Sequence, residues 1–272
     1  MFLNLKGRLV SLDSPIVMGI LNTTEDSFYD GGYYTCDKAV LERAASMLDE
    51  GADLIDVGAM STRPGASDVD EETEKQDISH TVSLLIKHFP NCLISVDTWR
   101  ASVAQAAINS GACFINDISG GTFDENMLSV VANARVPYCL MHTPAKPDTM
   151  QECTQYDDII SDILRFFGTQ IAKLKALGAN DIVLDPGFGF GKTTEQNFFL
   201  LQNLKAFTCL NLPILAGLSR KSMIYKTLNT NPAEALNGTT VLHTIALQNG
   251  ANILRVHDVR EAKEAITLLQ QF

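Results

Sequence analysis

Eight short apolar runs punctuate the chain, and nearly every one ends in a polar or charged residue. IVMGILN ends at Asn22, ADLIDVG at Gly58 and CLISVD at Asp97, while CFINDI surrounds Asn116. PYCLMH ends at His142, DIVLDP holds Asp185, PILAGL runs into Ser219, Arg220 and Lys221, and ANILRVH carries Arg255 and His257. Continuous Val, Ile and Leu is what a strand needs when both of its faces are buried, as in a parallel sheet. Between the runs lie segments of helical period. From Tyr156 to Leu177, residues Ile159, Ile160, Ile163, Leu164, Phe167, Ile171 and Leu174 fall on one stripe. Eight such alternations in 272 residues predict an α/β fold, a single (β/α)8 TIM barrel covering residues 1–272. That fold usually takes ~250 residues and carries its active site at the C-terminal ends of the strands, where these polar residues fall. Residues Phe2 to Leu12 alternate apolar and polar around Lys6 and Gly7, which predicts a short N-terminal β-hairpin at the barrel bottom.

The longest irregular stretches, residues 61–70, 143–154 and 185–194, all follow strands, so the loops are enlarged on the catalytic side and no linker divides the chain. A net charge of −11 argues against nucleic acid or a membrane surface as partner. No run approaches the ~20 apolar residues of a membrane span, and no targeting leader is expected. The six cysteines show no CxxC spacing, and three lie in apolar runs, which suits a reduced, cytoplasmic setting. The five histidines never pair at i, i+4, which speaks against a His-rich metal site.

Asp97, Asn116 and Asp185 close the third, fourth and sixth runs. Each alone could cap the helix that follows. Together at one rim they suit the N–H edge of a buried amino-pyrimidinone, and a buried carboxylate needs a ligand or a cation as partner. Six cationic residues also follow strands: Arg63, Lys192, Arg220, Lys221, Arg255 and His257. Surface pairing with the 32 acidic residues is the plain alternative. As a set they suit a phosphate, which this fold often binds after its seventh and eighth strands. The segment from Gly187 to Thr193 departs from a nucleotide P-loop: three residues, not four, separate Gly187 from Gly191, and Pro186 stands where the first glycine belongs. A glycine-rich loop offering Phe190 for stacking fits it better. The stretch from Asn22 to Phe28, followed by Asp30, Gly31 and Gly32, is either a plain turn or a set of oxygen ligands for Mg2+ bound with a phosphate.

These segments resemble the dihydropteroate synthase family. The matches are MGILNTTEDSFYDGG, STRPGA from Ser61, SVDT from Ser95, INDISGG from Ile115, LMH before a segment ending TMQ, LDPGFGFGKT, LSRKSMI and RVHDV. They run in family order from Met18 to Val259. The resemblance implies condensation of 6-hydroxymethyl-7,8-dihydropterin pyrophosphate with p-aminobenzoate, giving 7,8-dihydropteroate and pyrophosphate. It assigns Asp97, Asn116, Asp185 and Lys221 to the pterin. Asn22, Arg63, Arg255 and His257 go to the pyrophosphate, with Asn22 also near Mg2+. Thr62, Pro64, Phe28, Phe190 and Ser222 go to p-aminobenzoate. Of these, Asp97, Lys221, Arg255 and His257 are the catalytic candidates. It further implies a dissociative reaction, a homodimer through the last helices, and sulfonamides as competitors. The chain departs from the family pattern at Glu25, Ala59, Met60 and Tyr225. Two alternatives stand beside this reading. One is a methyltransferase on the same barrel that uses methyltetrahydrofolate with a corrinoid partner. The other is a pterin-binding protein without activity.

Overall fold

Each apolar run becomes a strand of one parallel sheet. In the computed structural model, which describes residues 1–23, 33–59 and 70–272, these strands are β3 (Ile16–Asn22), β4 (Leu54–Gly58), β5 (Ile94–Asp97), β6 (Phe114–Asp117), β7 (Tyr138–Met141), β8 (Ile182–Asp185), β9 (Leu215–Ala216) and β10 (Ile253–Val256). Their order in the sheet is β8-β7-β6-β5-β4-β3-β10-β9. A parallel bridge between Leu184 and Ile214 joins the two ends and closes the barrel. The helices between them are α1 (Tyr33–Asp49), α2 (Glu71–His88), α3 (Ala101–Ser110), α4 (Met127–Ala134), α5 (Ile159–Ala176) and α6 (Thr194–Gln202). The last crossover holds two, α7 (Ser222–Thr227) and α8 (Leu236–Gln248), and α9 (Val259–Leu269) follows β10.

The predicted hairpin is β1 (Phe2–Leu5) paired antiparallel with β2 (Arg8–Ser11). Lys6 and Gly7 both take positive φ, 55° and 79°, as a tight hairpin turn with the right twist requires. Leu3 and Leu5 are buried against Ile16, Leu54, Phe114, Val183 and Ile253 inside the barrel. The hairpin therefore plugs the bottom.

Alternation along the strands decides what the lumen contains. Outward residues such as Val17, Ile55, Val57, Val96, Ile115, Leu184 and Leu254 join the layer under the helices. Inward residues near the bottom are apolar: Met18, Leu54, Phe114, Cys139, Val183, Leu215 and Ile253. Two residues further along, the same faces carry Asp56, Asn116, Asp185, Gly217 and Arg255. The lumen thus changes from a packed core to a polar chamber within one step of the strand period.

Helix starts are set locally. Asp70 caps α2 by accepting from the Glu72 and Thr73 N–H groups, and Thr193 with Gln196 forms a capping box on α6. The residues at the starts of α3, α4 and α6 are Arg100, Asn126 and Thr193. Asp97, Asn116 and Asp185 are therefore not helix caps, and their side chains remain at the mouth. α5 begins at Ile159 behind the cap Asp158, later than the stripe from Tyr156 suggests. The Tyr156 hydroxyl instead donates to the Gly191 carbonyl at 2.9 Å.

Candidate active site

Arg255 organises the mouth. Its Nε donates to Asp56 Oδ2 and its Nη2 to Asp97 Oδ2, each at 2.6 Å. Asp56 is fully buried and also accepts from Ser95 Oγ at 2.5 Å and from Asn116 Nδ2 at 3.0 Å. Four adjacent or facing strands therefore meet on one carboxylate. Sequence reasoning missed Asp56, because it lies inside the run ADLIDVG and not at its end. The available signal was an acid at an inward position of a strand buried on both faces. Burial raises the Asp97 carboxyl to about 7 against the pull of Arg255, with Asp56, Asp117 and Glu74 adding to the rise. Burial opposes the Arg255 charge, but Asp56 and Asp97 outweigh it and hold the guanidinium ionised.

Asp185 closes β8. Its Oδ1 accepts from the Gly187 N–H at 2.7 Å. Burial raises its carboxyl, while the Lys221 charge pulls it back. Lys221 precedes α7, donates to the Phe188 carbonyl and lies 4.6 Å from the Phe190 ring centre. Burial lowers its ammonium to about 8, with Asp185 opposing and Arg255 reinforcing the shift. Glycine leaves room here: a methyl built on Gly217 would lie 3.9 Å from both Asp185 Oδ2 and Lys221 Nζ. At Gly58 it would lie 3.5 Å from Asn22 Oδ1 and from the Asp97 Cβ.

The structure thus brings Asp97, Asn116, Asp185, Lys221, Phe190 and Arg255 around one chamber, with Asn22 exposed at its lip. His257 stands beside it, its Nδ1 3.0 Å from Ser219 Oγ. Ser222 opens α7, half-buried. Thr62, Arg63, Pro64 and Phe28 lie outside the described residues, as do Glu25 and Met60. Two of the cations expected near a phosphate are engaged elsewhere. Lys192 is buried and donates to the Gly187 and Phe190 carbonyls, both at 2.9 Å, and meets His142 Nδ1 at 3.3 Å. Arg220 makes a two-pronged ion pair with Asp258. Both are structural here, because a glycine-rich loop and a neighbouring acid satisfy their donors.

Mg2+ prefers hard oxygen ligands and retains waters and phosphate oxygens. Asn22 Oδ1 at the lip suits it, whereas Asp56 and Asp97 are engaged by Arg255. Among the described residues no group of three His, Cys, Asp or Glu could hold a metal ion. The donor set therefore fits Mg2+ only together with a phosphate-bearing ligand.

Residues 18–257 match the model of a family described as pterin binding enzyme. The chain is 42% identical over 267 residues to the dihydropteroate synthase of Escherichia coli K12, covering 97% of this chain and 94% of that protein. The dihydropteroate synthase of Yersinia pestis, solved with a sulfonamide drug, superposes with a TM-score of 0.93 at 41% identity, covering 100% of this chain and 98% of that one. The Xanthomonas albilineans enzyme in complex with 7,8-dihydropteroate gives 0.89 at 36% identity, covering 100% and 98%. With a family match over most of its length and its polar chamber where that barrel keeps its site, the chain belongs to the pterin-binding enzymes.

Proposed function

We infer that the protein is a dihydropteroate synthase, condensing 6-hydroxymethyl-7,8-dihydropterin pyrophosphate with p-aminobenzoate and releasing pyrophosphate. The observation that carries this reading is the chamber of Asp97, Asn116, Asp185 and Lys221 in a chain 42% identical to such an enzyme. Asn116 commits its amide nitrogen to Asp56, so its carbonyl oxygen is the atom left to accept from the pterin edge. Asp185 accepts from the neighbouring N–H groups, and Lys221 donates to the ring. The family resemblance assigns Phe190 and Ser222, together with Thr62, Pro64 and Phe28, to p-aminobenzoate.

The residue types suit a dissociative path. The C–O bond to pyrophosphate breaks first, its electron pair leaving with the pyrophosphate. The cation left on the pterin methylene is stabilised by Asp97, and the arylamine then attacks and loses its proton. Arg255, Arg63 and His257 stabilise charge as it develops on the leaving group. Mg2+ held by Asn22 and the pyrophosphate would neutralise part of that charge. No side-chain nucleophile is needed.

The decisive experiment measures pyrophosphate release from the pterin substrate with and without p-aminobenzoate. Sustained release over many turnovers that depends on the arylamine supports the reading. A methyltransferase would release none, and an inactive relative would bind pterin and release none. Sulfonamides should raise the apparent KM for p-aminobenzoate and leave the maximal rate unchanged. Noncompetitive or absent inhibition would contradict the assigned arylamine pocket.

A homodimer through the last helices and a cytoplasmic location complete the proposal. Val241 on α8, Leu268 on α9 and Phe272 beyond it are exposed, and a groove of about 300 Å³ is lined by Thr240, Thr244, Leu268 and Phe272. Sedimentation equilibrium tests it, with Leu268→Glu expected to give monomer. All six cysteines are unpaired, as a reducing compartment would keep them. No helix among the described residues is long and apolar enough to cross a membrane.

A further inference from the structure

Arg220 stands between Ser219 and Lys221, yet its donors end on protein groups of three other segments. Nε and Nη2 donate to the two oxygens of Asp258, both at 2.8 Å. Nη1 donates to the carbonyls of Pro232 and Ala233 at 2.9 and 2.8 Å. Its backbone N–H donates to Thr239 Oγ1 on α8 at 3.0 Å. The residue holds φ at 55°, a left-handed conformation that a long side chain keeps only where its surroundings impose it. One residue earlier, Ser219 Oγ accepts from the His257 backbone N–H at 3.1 Å and meets its Nδ1 at 3.0 Å. Residues 219 with 257 and 220 with 258 thus form two successive rungs between the loops after β9 and β10.

These rungs stand where the sheet no longer supplies any. β9 has two residues, and its pairing with β10 ends at Leu254 opposite Ala216. Beyond that point side chains must fix the rim. We propose that Arg220 is a positioning residue: its fork on Asp258 locks the two loops so that Ser219 presents the His257 imidazole to the substrate pyrophosphate. The proposal rests on the synthase reading. Lysine cannot replace the fork, because it offers a point charge without paired planar donors. The pterin end is held separately by Asn116 and Asp185 from β6 and β8 and by the Lys221 contact with Phe188.

Calorimetry on the full chain separates the possibilities. The two probes are the pterin pyrophosphate and the corresponding pterin alcohol, measured against wild type, Arg220→Lys and Asp258→Asn. Both variants should bind the pyrophosphate ligand about tenfold or more weakly, with affinity for the alcohol within about twofold of wild type. Arg220→Lys keeps the charge, so a loss there reports geometry, and Asp258→Asn keeps the shape of the partner. Melting curves run alongside establish that both variants are folded, and if one is not, the other carries the test. An unchanged preference for the pyrophosphate ligand, or equal loss on both ligands, overturns the proposal. A wild-type protein that does not discriminate the two ligands overturns the pyrophosphate assignment itself and this proposal with it.

Discussion

A guanidinium held between two carboxylates has consequences for each of its neighbours. Removing Arg255 would leave Asp56, fully buried, and Asp97, largely buried, without their countercharge. Breaking a buried pair from one side typically destabilises by about 3–5 kcal/mol. Arg255→Ala should therefore lower the unfolding free energy by roughly that amount and weaken the pterin alcohol as well as the pyrophosphate ligand, because Asp56 also orients Asn116. Denaturant titration with calorimetry checks this, and Arg255→Ala with wild-type stability and alcohol affinity would sink it. The same residues set a pH window. Asp97 takes up its proton below about 7 and then loses the charge that stabilises a cation. Lys221 loses its proton above about 8 and then loses its charge toward the pterin. The profile of kcat/KM, which reports the free enzyme, should peak between these values, and Lys221→Arg should move the alkaline limb to higher pH. A flat profile from pH 6 to 9 would contradict the assignment. Asp97, Asn116 and Asp185 were legible because they end apolar runs. Asp56 was not, because its importance comes from three partners that are remote in sequence.

Loops show why a residue type can be legible when its role is not. The stretch from Gly187 to Lys192 places a lysine after glycines, which suggests phosphate binding. Its conformation gives the lysine other acceptors. Gly187 has φ 74°, and a methyl there would lie 2.0 Å from the His142 carbonyl oxygen, so only glycine lets the loop pass so close. Lys192 then fills the turn and binds its carbonyls from within. Burial lowers its ammonium to about 7, with Lys221 adding to the shift and Asp185 opposing it. Since the folded pKa lies below the unfolded value of 10.5, the unfolded chain holds more protons between about 7 and 10.5. Stability should therefore rise with pH across that window. In Lys192→Met the rise should be shallower, leaving mainly the share due to Lys221, and Phe190 should be less well held. Unfolding free energies at pH 7 and 9 test it, and identical slopes in the two proteins would mean that Lys192 titrates normally. Strand lengths were equally hard to read. PILAGL looks like its siblings, yet β9 spans two residues, and beyond it the Ser219 and Arg220 side chains join that edge to the loop after β10.

At the scale of the barrel, stability and chemistry occupy opposite ends of one lumen. The number of strands was legible because burial on both faces turns each one into an unbroken apolar run, and the hairpin because its residues alternate. Closure followed from the count of eight, but the place where it is thinnest did not show, since β8 and β9 meet through one bridge between residues thirty apart in sequence. The lower lumen is filled by Met18, Leu54, Phe114, Val183 and Ile253 with Leu3 and Leu5 of the hairpin beneath them. The polar layer begins only at Asp56, Ser95, Asn116, Asp185 and Arg255. Leu5 is fully buried, and truncating such a leucine to alanine removes its transfer energy and leaves a cavity, about 2–5 kcal/mol together. Its apolar neighbours separate it from the ligand-facing layer, and effects at sites that share no partner are close to additive. Leu5→Ala should therefore lower the melting temperature by several degrees while leaving pterin affinity and KM for p-aminobenzoate within about twofold at temperatures where the variant is folded. Combined with Asp185→Asn, which should weaken the pterin by replacing an acceptor with a donor, the two losses should add without coupling. Melting curves and calorimetry on the single and double variants measure this. A pterin affinity that falls with Leu5→Ala alone would show that the plug transmits strain up the strands to the mouth, and that the lumen behaves as one layer.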